Sequence, residues 1–95
     1  MGKQRRLSGR NEVIPGLERA LCAILKEHRQ AKGVSQQELS YRTGLDRSFL
    51  SLIETGARRP SITTLFLIAH FLGVAPSQLI RELENRIDVS TIAPK

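Results

Sequence analysis

The stretch from Ser35 to Gly56, SQQELSYRTGLDRSFLSLIETG, carries two sets of helix-start signals so close together that neither a strand nor a long connection fits between them. Ser35 is placed as an N-cap with Glu38 three residues on, the pattern of a capping box, and Val34 can staple against Leu39 across it. Thr43 and Gly44 end this helix, glycine being free to take the left-handed conformation that a tight turn demands. Asp46 then offers a second N-cap, with Leu45 and Leu50 as another staple. Helices joined by so short a turn have no room to lie antiparallel, so they must cross steeply, as a helix, a turn and a helix.

Projected at 100° per residue, the second of these helices, over residues 46–55, divides into two faces. Leu50, Ile53 and Glu54, with Phe49, fall on the side of the staple leucines, toward a core. Arg47, Ser48, Ser51 and Thr55 fall on the opposite side, with Leu52 at its margin. Such a face suits a DNA groove, because an outward arginine can bond guanine O6 and N7 bidentately while hydroxyls reach bases or phosphates. It also matches the solvated face of a small helical bundle, and the pattern by itself leaves both readings open.

The flanking sequence supplies three more helices. Pro15 is expected to open the first at a position where a missing N–H costs little, with Leu17, Leu21, Ile24, Leu25 and His28 recurring at helical spacing. Gly33 ends it, after Arg29 and Lys32 in the last turn, where the macrodipole favours cations. Ser61 caps a fourth helix expected to pack Ile62, Leu65, Ile68, Ala69 and Leu72 before Gly73 stops it. Pro76 opens a fifth, with Val74 and Leu79 as staple and Ile80, Leu83 and Ile87 continuing an apolar stripe. The fold class is therefore all-α, with one domain over residues 15–87. Residues 1–14 read as a flexible basic arm, either a solvated tail or a run of charge lying along phosphates or entering a minor groove, and 88–95 as a frayed tail.

Fifteen Lys and Arg against nine Asp and Glu, a net charge of +6 on 95 residues, point to a polyanion as partner, nucleic acid ahead of an anionic membrane. A chain of this length builds one modest core without a deep active-site cleft, so function sits on the surface. No 18-residue apolar run is present, no signal peptide is expected, and the lone Cys22 can form no internal disulfide, so the expected compartment is a reducing cytoplasm, at the nucleoid. No phosphate loop, HExxH, CxxC or serine, histidine and acid grouping is present, so no enzyme, metal or cofactor is expected. His28 and His70 read as histidines at the core margin, neither having a second ligand at metal spacing. Tyr41 and Phe49 are too scattered for a single-strand stacking platform, which favours duplex DNA.

The words LKEHRQAKGVSQQELS, GLDRSFLSLIETG and RRPSITTLFLIAHFLGVAPSQL together resemble the Cro/repressor-type, lambda repressor-like helix-turn-helix family of bacterial and phage transcription regulators, over Leu25 to Leu79. That resemblance implies a compact five-helix DNA-binding domain. It assigns Asp46, Arg47, Ser48 and Leu52, with Ser51 close by, to base edges in the major groove, and Gln36, Gln37, Arg58 and Arg59 to phosphates, which the outward Thr55 of the projection is expected to join. It also implies a buried ion pair between Arg29 and Glu54. Three residues depart from the family's pattern: Leu52 stands where relatives often carry a polar reader, Asp46 is acidic at a surface that should meet phosphates, and His28 replaces a usual leucine. Leu52 suits either a thymine methyl or the core margin, and Asp46 either an N-cap or a cytosine contact. One such domain reads few base pairs, so a homodimer on a quasi-palindromic operator is expected, with Ile80, Leu83 and Ile87 as the seam and Leu79 claimed by the core. The alternative is a protein-binding adaptor, an antitoxin or coactivator-like bridge, that uses the fifth helix on a protein partner and binds DNA secondarily.

Overall fold

The structure, a computed structural model, describes residues 14–88. Five helices follow one another there without a strand: α1 (Leu17–Ala31), α2 (Gln36–Thr43), α3 (Arg47–Glu54), α4 (Ile62–Leu72) and α5 (Pro76–Arg86). The arm expected over 1–14 and the tail expected over 88–95 lie, apart from Ile14 and Asp88, outside the described residues. The core comes from every helix: Ile24 and Leu25 of α1, Leu39 of α2, Leu50 and Ile53 of α3, Ile68 of α4 and Leu79 of α5 are all buried. α1 packs on α5 and α3, α2 packs on α3 and α4, and α4 packs on α5.

Local chemistry explains most helix ends. The Ser35 hydroxyl accepts the Glu38 N–H at 3.0 Å, and Ser61 accepts from Thr64 at 3.1 Å, so both caps form. The reciprocal half of the α2 capping box does not: Glu38 turns outward to Arg42 one helical turn on, an ionic partner that outcompetes a neutral N–H. In the turn between α2 and α3, Gly44 takes φ 77° and its N–H bonds the Ser40 carbonyl at 2.9 Å. The Thr43 hydroxyl donates to Leu39 O at 2.7 Å and accepts the Leu45 N–H at 3.1 Å, so the turn is tied on both sides.

Three sequence expectations are corrected. Pro15 does not start α1: Leu17 N–H bonds Ile14 O at 3.1 Å and Gly16 has φ 80° and ψ 0°, which makes Pro-Gly the centre of a type II turn ahead of the helix. Ile62, the first residue of α4, is 66 % exposed and not core, because its position in the opening turn faces away from the bundle. The α5 stripe divides, since Leu79, Leu83 and Ile87 recur every four residues on one face. Leu79 and Leu83 lie in the core and Ile87 packs against it, which leaves Ile80, 46 % exposed, as the stripe's outward residue.

α1 and α5 are also joined at the surface. The Nε2 of His28 lies 2.9 Å from a Glu82 carboxylate oxygen, and Arg86 pairs with Glu27 at 2.6 Å. The imidazole hydrogen bond, joined by one from Gln78, holds the Glu82 carboxyl below its ordinary value, and the Arg86 guanidinium does the same for Glu27. His70 is exposed, edge-on to Phe71.

At the junction of α1, α2 and α3 a charged pair is buried. Arg29 donates from Nε to Glu54 Oε2 at 2.6 Å and from Nη2 to Oε1 at 3.0 Å, both residues being 9 % exposed. The third guanidinium nitrogen, Nη1, donates to Val34 O at 2.8 Å, in the loop that leads into α2. Gln36 Nε2 adds a donor to Glu54 Oε1 at 2.9 Å. The carboxylate is thus satisfied by two helices other than its own.

Glu54→Ala strands the buried guanidinium and is expected to cost about 3 to 5 kcal/mol, whereas the apolar double replacement Arg29→Met with Glu54→Leu should recover most of that. Urea unfolding of the two variants checks this, and a loss below about 1 kcal/mol for the single change contradicts it. The depressed carboxyls of Glu82 and Glu27 add stability above the ordinary value of 4.5 that is lost as pH falls through their folded values. Thermal melts from neutral to acid pH should show a smaller acid-induced fall in Glu82→Gln than in the parent.

Candidate nucleic-acid interface

α3 reaches solvent along one side only. Its inner residues Leu50, Ile53 and Glu54 are buried, while Arg47, Ser48 and Leu52 are exposed and Ser51 is half-buried. Leu52, at 40 % exposure, belongs to the outer face and not to the core margin. The Arg47 side chain has no ion pair or hydrogen bond among the described residues, so its guanidinium is free to take an external acceptor.

Asp46 holds the N-cap position of α3 with extended backbone, yet its carboxylate accepts no helix N–H. It accepts the Ser48 hydroxyl at 3.1 Å instead. That bond keeps two candidate base readers together at the start of the helix. It also means that a ligand reaching either residue meets both.

The loop after α3 is fixed to the helix by backbone. Gly56, at φ 82°, allows the chain to reverse, and the N–H groups of Ala57 and Arg58 both reach Leu52 O, at 2.9 and 3.1 Å. The Thr55 hydroxyl donates to the same carbonyl at 3.1 Å. Arg58 therefore leaves the backbone at a set position relative to the outer face of α3, and its guanidinium lies over the Phe49 ring, 5.5 Å from the centroid. Arg59 pairs with Glu18 of α1 at 3.3 Å, the arginine exposed and the glutamate half-buried, a contact that solvent screening makes weak.

Gln36 and Gln37 are the first two residues of α2. Gln37 is exposed, and Gln36 is half-buried with one amide hydrogen given to Glu54. An amide nitrogen carries two hydrogens, so Gln36 retains one donor for an outside acceptor while Glu54 fixes its direction.

Of the residues assigned from sequence, Arg47, Ser48, Ser51 and Leu52 lie on α3 with Asp46 at its N-cap, Thr55, Arg58 and Arg59 follow it, and Gln36 and Gln37 lie on α2. It does not gather Ile80, Leu83 and Ile87 on one exposed surface. Two details of the interface had no sequence signal. The ring of Phe49 beneath Arg58 and the Val34 carbonyl that receives Arg29 are matters of tertiary approach. No metal-holding group of His, Cys, Asp and Glu occurs among the described residues.

A family model described as helix-turn-helix matches residues 25–79. An uncharacterised HTH-type transcriptional regulator of Sinorhizobium fredii is 38 % identical over 52 residues, which is 55 % of this chain and 68 % of that protein. Among solved structures, the clp gene regulator ClgR of Corynebacterium glutamicum superposes with a TM-score of 0.71 at 29 % identity, over 80 % of this chain and 97 % of that one. The restriction-modification controller protein C.AhdI of Aeromonas hydrophila does so with a TM-score of 0.62 at 36 % identity, over 66 % and 94 %. With its paired helices over residues 36–54 seated in a five-helix all-α bundle, the chain belongs to the Cro/repressor-type helix-turn-helix family of transcription regulators.

Proposed function

We propose that this protein is a sequence-specific regulator that binds duplex DNA as a homodimer on a quasi-palindromic operator, with α3 in the major groove. The observation that carries the reading is the free guanidinium of Arg47 on the outer side of a helix whose inner side is buried. In this reading Arg47, Ser48, Asp46, Ser51 and Leu52 face base edges, the Leu52 methyls suiting a thymine methyl. Gln36, Gln37, Thr55, Arg58 and Arg59 take phosphates on either side. The likeness to a clp gene regulator and to a restriction-modification controller supports transcriptional control, and the proteins compared are regulators and not enzymes. DNA as the target puts the protein in the cytoplasm at the nucleoid.

For the dimer, exposed apolar side chains support a seam across α4 and α5. Phe66, 56 % exposed, lines a shallow depression together with Pro76, and Ile80 lies one turn beyond Pro76 on α5. Leu83 is withdrawn from this seam by its burial. A two-fold arrangement would set the half-sites about 10 bp apart or at a multiple of that. The adaptor alternative uses the same apolar side chains on a different protein.

Selection from random duplexes should return an inverted repeat; no enriched sequence would reject the reading. Arg47→Ala should cost about 1 to 3 kcal/mol and relax one base preference, whereas Arg58→Ala should weaken all duplexes alike and flatten the salt dependence by about one phosphate contact. Sedimentation equilibrium of Phe66→Glu and Ile80→Glu should find monomers where the parent is a dimer. A parent that is itself monomeric favours the adaptor.

A further inference from the structure

A cavity of about 200 Å³ opens between the first half of α1, the loop after α3, and α5. Its walls are apolar, formed chiefly by Leu17 and Leu21 of α1, Ile53 of α3 and Leu83 of α5. Among its lining residues Arg58 and Arg59, both exposed and so toward its open side, stand against one carboxylate, Glu18, leaving one positive charge in excess there. An apolar chamber of about 150 Å³ holds one benzene ring, so this one has room for roughly eight carbon atoms. Water filling it would find few partners along the walls.

We propose that this cavity binds a small amphipathic monoanion, an alkyl carboxylate with a tail of about six to eight carbons. The tail lies against Leu21, Ile53 and Leu83, and the carboxylate meets Arg58 and Arg59 at the mouth. The charge pattern selects the ligand: a neutral chain gains nothing from the mouth, and an alkylammonium is repelled there. Two contacts must yield, the Arg59–Glu18 pair, a single approach of 3.3 Å, and the stacking of Arg58 over the Phe49 ring.

The regulatory consequence rests on the DNA reading given above. Arg58 and Arg59 are the cations assigned there to phosphates, so an occupied mouth draws them from the duplex and carboxylate and DNA oppose each other. By linkage, each lowers the affinity for the other by the same factor.

The site is tested without DNA. Octanoate titrated into the full chain with labelled methyl groups should give saturable shifts at Leu21, Ile53 and Leu83, with a Kd on the order of 0.1 to 1 mM as expected of a ligand this small. Heptanol and octylamine should bind at least about fivefold more weakly. Octanoate should also slow alkylation of Cys22, which lines the same cavity. The double change Arg58→Gln with Arg59→Gln should remove the preference for carboxylate over alcohol while leaving the fold intact. Shifts that do not saturate, or equal affinity for the three head groups, overturn the site. In the second arm, saturating octanoate should raise the Kd for a selected duplex about three- to tenfold. An unchanged Kd overturns the coupling and leaves the site, whereas failure to bind any duplex overturns the DNA reading and leaves the first arm to decide the site on its own.

Discussion

The bidentate contact between Arg29 and Glu54 is the constraint on which the rest of the arrangement depends. An eight-residue helix such as α3 has too few internal hydrogen bonds to be stable alone, so its position comes from what holds it. Its last residue, Glu54, is held by α1 through two guanidinium nitrogens and by α2 through the Gln36 amide. The same arginine reaches the Val34 carbonyl and so fixes the loop from which α2 departs. Burying two charges is costly, and an apolar pair would often serve stability as well. What the ion pair adds is direction: a fork meeting a carboxylate in plane admits one relative orientation of the helices, whereas methyl groups admit several. The turn at Gly44 secures the other end of α3, and between these two anchors its outer face has little freedom to tilt.

Much of this was legible in the chain because helix ends are written locally. Ser35, Gly44, Ser61, Gly73 and Pro76 each act through atoms within a few residues, and each stands where its chemistry requires. Errors arose where one local signal had two local uses. Pro15 followed by glycine suits a helix start and also a type II turn, and the positive φ of Gly16 decides for the turn. Asp46 could cap α3 or bond a neighbouring hydroxyl, and Ser48 takes it. Glu38 could close a capping box or pair with Arg42, and it pairs.

Other errors concern which side of a helix faces what, a property of the assembled bundle. The α5 stripe looked like one surface because Ile80 adjoins Leu79 in sequence, but adjacent residues are 100° apart on a helix and only the set repeating at four packs inward. Leu52 sat at a margin that the projection could not resolve, and the packing of α3 puts it outside. The resemblance to a known family named the Arg29 and Glu54 partners, which no periodicity could have paired across 25 positions. The Gln36 amide and the cavity beneath Arg58 depend on side chains from separate helices converging, and nothing in the order of residues announces them.

The division of α3 between a buried side and an open one has an evolutionary consequence. The residues that the bundle takes from this helix are Leu50, Ile53 and Glu54, with Phe49 packed against the core beside them, and Arg47, Ser48 and Leu52 are not among them. Substitutions at the open positions therefore carry little penalty in folding. Where that open face reads bases as proposed, a duplicated copy of such a gene could acquire a new address on the chromosome through a few codon changes while its scaffold went on assembling as before. The cost of innovation falls on binding alone, so new specificities can be sampled by drift before selection has any reason to keep them.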